Sequence, residues 1–193
     1  MKRKTVVALS VFAIALTITP AFSAETATVD IVMSIQSVSV SNVGSASIAV
    51  SGLPGSTKLL PRAVFRNSGD APTDFNLRLA VTSGTWVPRT DALAMQVNEF
   101  RLRASWGIWN ATVTAANFHD NDIVTTVDQK SSSTIFWGTS STFGDPAFDG
   151  GYNVPGNAGF SSERGLWVRF DAGAAGTTGS TKATIYVTGT ATP

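Results

Sequence analysis

The chain has 193 residues, no cysteine, five tryptophans and a formal net charge of +1. Without cysteine there is no disulfide, no thiol chemistry and no thiol-anchored lipid or metal. Three of the 14 Lys and Arg stand in the first four residues, and the rest do not form the clusters that nucleic acid or an anionic membrane would demand.

Lys2, Arg3 and Lys4 precede a short apolar run at 6–18, followed by Pro20 and Ala21-Phe22-Ser23. A basic start, an apolar core and small residues just before Ala24 make residues 1–23 a secretory signal peptide. The run falls short of the ~20 residues that a membrane span needs. The expected product is exported, to the extracellular space or the cell surface, with the periplasm as the alternative. Cleavage removes three positive charges and leaves a mildly acidic chain long enough for one domain with a real core. Its wealth of Thr, Ser, Gly, Ala and Val, with 14% charged residues over the whole chain, favours a β-fold.

Residues 24–43 form the N-terminal strand region. In 26–35, Val29, Ile31, Met33 and Ile35 alternate with Thr28, Asp30, Val32 and Ser34, the period-two pattern of a strand with one buried face. Val38 and Val40 then fall on the other parity. This predicts a bulge, a bend or a change of sheet near Gln36 and Ser37.

The β-sandwich domain is assigned to 44–193. Strands are predicted at 47–51, 60–67 and 73–82, the last two joined by the turn Asn67-Ser68-Gly69-Asp70-Ala71-Pro72 into an antiparallel hairpin. Further strands are expected at 86–88, 98–106, 122–127 and 134–137, with one helical turn at 114–119. Long Gly/Ser/Thr/Asn/Pro loops fill 138–162, a length usually functional or mobile. Strands at 164–171 and 182–190 predict a second hairpin. About 8–10 strands without an ordinary amphipathic helix imply an all-β, antiparallel two-sheet sandwich of immunoglobulin-like or jelly-roll kind, with a barrel as competitor. No repeat at a fixed period points to a solenoid or propeller.

The segment Leu53-Pro54-Gly55-Ser56, then Ala63-Val64-Phe65-Arg66-Asn67-Ser68-Gly69-Asp70, then Phe75-Asn76-Leu77-Arg78-Leu79 resembles a hairpin of secreted immunoglobulin-like domains. It is loosely similar to one in the TasA/camelysin-like matrix-fibre proteins and the archaeal bundling pili. The resemblance implies a sandwich subunit whose N-terminal strand completes its neighbour's sheet. Residues 25–40 would then be the donor strand, with Val29, Ile31, Met33 and Ile35 as its assembly contacts and copies of the chain as partners. An ordinary first strand within one chain is the alternative.

Few residues suggest chemistry. His119 is the only histidine and stands beside Asp120, but neighbours in a strand or turn point apart, and no nucleophile elbow accompanies them. The chain is therefore read as no enzyme, and no cofactor is expected beyond calcium. Asp120 and Asp122, and Asp145 and Asp149 in the later loop, are candidate calcium ligands, though neither stretch has EF-hand spacing. Trp109, Trp137 and Trp167 are candidates for stacking on a surface glycan or for subunit contact, against the alternative of core or rim packing. Arg101 and Arg103 are candidates for an acidic partner. The expectation is an exported structural subunit of an extracellular filament or surface layer, assembled by strand donation. The alternative is a carbohydrate-binding or adhesive module.

Overall fold

The computed structural model describes residues 27–35, 40–42, 47–52, 54–107, 112–137, 150–157, 159–174 and 179–192. Eleven strands make two sheets: β1 (Ala27–Ile35), β2 (Val40–Asn42), β3 (Ser47–Gly52), β4 (Thr57–Leu59), β5 (Ala63–Asn67), β6 (Thr73–Gly84), β7 (Val87–Pro88), β8 (Glu99–Gly107), β9 (Gln129–Lys130), β10 (Glu163–Ala172) and β11 (Ser180–Ala191). One sheet runs β3-β1-β11-β6-β9. The other runs β2-β5-β10-β8-β7, with β4 also on β10. The all-β sandwich is thus present. It is antiparallel except for β1 on β11 and β7 on β8, which are parallel.

Alternation explains the core. Phe75, Leu77, Leu79, Ala183, Ile185 and Val187 face inward from the first sheet, and Phe65, Phe100, Leu102, Ala104, Leu166, Val168 and Phe170 from the second; all are buried. Trp106 ties the layers together. Its ring lies edge-on to Phe65 of its own sheet at 5.6 Å and tilted on Phe75 of the opposite sheet at 5.0 Å, geometries that ring quadrupoles favour.

Neither expected hairpin forms. β5 lies in the second sheet and β6 in the first, so the turn between them is an arch across the sandwich. Asn67 shapes it. This fully buried side chain donates to the carbonyls of Ala71 at 2.8 Å and Val154 at 2.9 Å and accepts from the Gly69 N–H at 3.0 Å. The β10–β11 connection is also an arch. The Gly173 N–H is held by the Glu99 carbonyl at 2.8 Å, and its carbonyl by the Gly55 N–H at 2.8 Å. Those bonds carry the chain past its own strand instead of back along it. Alternation cannot tell arch from hairpin, because both leave one apolar face per strand.

The parity flip after Ile35 is a change of sheet, from β1 in the first to β2 in the second. The strands expected at 122–127 and 134–137 are not regular strands. Residues 120–122 make a 3₁₀ turn, Ile123 makes a single bridge to Arg103, and Thr125 and Phe136 each offer one carbonyl, to Leu79 at 2.7 Å and Trp106 at 2.9 Å. The expected helical turn is the short 3₁₀ segment Ala115–Asn117. Together with β9, residues 123–136 close the seam between β6 and β8, satisfying edge groups that would otherwise be open to other chains. The positive φ of Phe136, at 57°, is an uncommon conformation for a bulky residue. Its ring is wholly buried and its carbonyl is taken by Trp106, which holds it there.

Candidate functional site

The slot of the N-terminal strand comes first. β1 lies between β3 and β11. Its register runs from Thr28 opposite Ser180 to Ile35 opposite Val187, and from Ala27 opposite Gly52 to Val32 opposite Ser47. Ile31 is fully buried in the main core. Val29, Met33 and Ile35 share its parity and stand opposite Thr181, Ile185 and Val187, all buried; the side chains of Val29, Met33 and Ile35 lie outside the described residues. Removing β1 would part β3 from the sheet and strip β11 of one set of ladder partners. Residues 36–39 are the whole connection to β2, and at about 3.3–3.6 Å per residue they make a short tether.

The second feature is an ionic network on the outer face of β8 and β10. The parity that sends Leu102 and Phe170 inward turns Arg101, Arg103, Arg169 and Asp171 outward, where loops cover them. Arg103 donates to Asp171 at 2.5 Å and to Asp120 at 2.8 Å. Asp171 also accepts from the Thr57 hydroxyl at 2.7 Å and from Arg169 Nε at 2.7 Å. The Arg103 guanidinium, hydrogen-bonded to Asp120, holds that carboxyl below its usual range. Arg101 donates to the Leu93 carbonyl and, among the described residues, to no carboxylate. Burial, and then the like charge of Arg103, pull its pKa down. Next to this face Arg89 donates to Asp91 at 2.6 Å, which likewise keeps the Asp91 carboxyl low.

This placement reassigns several candidates. Asp122 is 1% exposed and occupied, accepting the Trp137 N–H at 3.0 Å and the His119 N–H at 2.7 Å. Its role is to shape the 3₁₀ turn. Asp120 points away from it, to Arg103. Among the described residues no group of three acidic, His or Cys side chains is placed to hold a metal ion. Asp145, Asp149 and Trp109 lie outside the described residues. Trp167 does stand on the outward parity, yet it is only 5% exposed, covered by Phe118 with Leu59 and Val113. Trp137 is 7% exposed. Neither ring offers the open face that stacking on a sugar requires.

Sequence reading missed a pocket between the loop after β7 and the seam. It is a cavity of about 240 Å³ lined by Thr90, Asp91, Asp120, Asn121, Gln129 and Ile135, among others. No local motif marks it, because its walls come from separate turns. No protein-family model matches the chain, and no curated protein matches it, so the reading of its function rests on this geometry.

Proposed function

We propose that the chain is an exported, non-enzymatic structural subunit of an extracellular filament or surface layer, and that β1 joins its copies. The observation that carries this reading is the position of β1. It is an interior strand of the first sheet, yet one short tether attaches it to the body.

A second copy presents the same slot between its own β3 and β11. Moving β1 from one slot to the other exchanges every ladder bond and the Ile31 contact for an identical set. Domain swapping is inexpensive for that reason. Each subunit then gives a strand at one place and takes one at another. Such a heterologous contact grows without closing unless the rotation happens to make a ring. The signal at 1–23 supports export.

Deletion of residues 25–35 tests the proposal, with export and filament formation read separately. Export should persist and filaments should vanish from electron micrographs. A sharper measurement uses the absence of native cysteine. Asp30→Cys with Lys182→Cys places thiols at directly opposed positions of β1 and β11. Exchange predicts a ladder of covalent oligomers on a non-reducing gel. A band at single-chain size alone would refute it.

A further inference from the structure

We propose that the pocket between the loop after β7 and the β6–β8 seam binds one neutral sugar ring, as a glycan-recognition site separate from the β1 slot. Its size is the first argument. At about 240 Å³ it lies below the roughly 300–1,000 Å³ of pockets for drug-sized ligands, which suits a single ring.

Its chemistry is the second. Asp91 uses one oxygen, Oδ1, for Arg89 at 2.6 Å and for the Leu93 N–H at 3.1 Å. Asp120 uses Oδ1 for Arg103. In each case Oδ2 takes no hydrogen bond among the described residues, on a carboxylate that its arginine orients. Gln129 accepts the Thr125 N–H through Oε1 at 2.9 Å, and its amide nitrogen makes no hydrogen bond among the described residues. Asn121 and Thr90 add an amide and a hydroxyl, and Ile123 and Ile135 add apolar wall.

Spare carboxylate oxygens accept hydroxyl protons in charge-assisted bonds, the stronger kind. Amides supply donors, and aliphatic side chains meet ring C–H groups. That combination fits a polyol better than an ion. An anion would meet two carboxylates kept ionised by their arginines. A hard cation wants six to eight oxygens, and both carboxylates here already have a guanidinium partner. The site also needs no tryptophan.

The test is titration of the purified exported protein with D-glucose, D-galactose, D-mannose and N-acetyl-D-glucosamine, followed by NMR or calorimetry. Calcium chloride is titrated in parallel. At least one sugar should bind with Kd on the order of 1–10 mM, as few-atom ligands do. Asn121→Ala should weaken it several-fold; Asn121 is exposed and makes no side-chain hydrogen bond among the described residues, so the variant should fold. Asp120→Asn should weaken binding about tenfold or more, while Asp128→Asn, outside the pocket, should leave it unchanged. Absence of binding by all four sugars overturns the proposal. So does calcium binding without sugar binding, and so does sugar binding indifferent to both Asn121→Ala and Asp120→Asn.

Discussion

Ile31→Ala probes whether β1 is seated as described. Ile31 has no exposed surface and belongs to the main core with Ile185 and Val187. Truncating a buried isoleucine to alanine loses transfer energy and leaves a cavity, at a cost of about 2–5 kcal/mol. For a domain of this size each kcal/mol moves the melting temperature by about 2–4 °C. The midpoint should therefore fall by about 4–20 °C, and the urea midpoint should fall with an unchanged slope. Asp30→Ala is the control, since position 30 has the opposite parity; surface changes usually stay within about 0.5 kcal/mol. Thermal unfolding by circular dichroism at several protein concentrations reads both questions at once. A loss under about 0.5 kcal/mol for Ile31→Ala would mean that β1 contributes no buried surface, and the assembly argument would fall with it. Concentration matters because exchanged strands couple folding to association, so the midpoint should rise with protein concentration. A self-filled slot gives a constant midpoint.

Three further measurements test the packing and the ionic face. In Gly151→Ala the added Cβ would lie 2.3 Å from Cδ1 of Trp106; overpacking of this kind costs about 1–3 kcal/mol and should change the near-ultraviolet dichroism of the tryptophans. Trp167→Ala removes the centre of the small outer cluster and should destabilise by about 3–5 kcal/mol; a stable variant would show the ring to be dispensable to the fold. Asp91 and Asp120 have carboxyls held below the ordinary 3.8 by Arg89 and Arg103. Their stabilisation is present above that value and is lost as the pH falls through the lower folded-state values. Acid titration should show stability declining only below about pH 4, and Arg103→Met should flatten part of that decline. An identical acid limb in the variant would remove Asp120 from the explanation.

What the sequence made legible was local. The alternation in 73–82, 98–106, 164–171 and 182–190 appears in the structure as β6, β8, β10 and β11, because a half-buried strand imposes period two whatever it pairs with. Pairing was not legible. The turn 67–72 carries every residue type of a hairpin loop, but the buried Asn67 amide bonds to the Val154 carbonyl, a partner 87 residues away that no local pattern reveals. Residues 123–136 misled for a related reason. Ile123, Val124 and Phe136 are apolar and buried, yet they plug a seam instead of running along a ladder, so apolar character was present without strand geometry.

The same physics separates the two sites. β1 was visible early because four apolar residues on one parity must be covered by something, and the only question was whose slot covers them. The pocket depends on Asp91 and Asp120, which meet because Arg89, just after β7, and Arg103, on β8, orient them and because the Ile123 bridge to Arg103 brings the 3₁₀ turn over β8. Charged side chains have no period that marks such a meeting. Tryptophans draw attention in a sequence for their size, but size also drives them into cover, and here Trp137 and Trp167 are spent on packing. The exposed polar side chains that line the pocket, Thr90, Asp91, Asp120 and Asn121, stand in turns and loops. A recognition surface on this sandwich is therefore more naturally built from its loops and seam than from the aromatic residues of its sheets, while the proposed assembly would draw on the sheet itself.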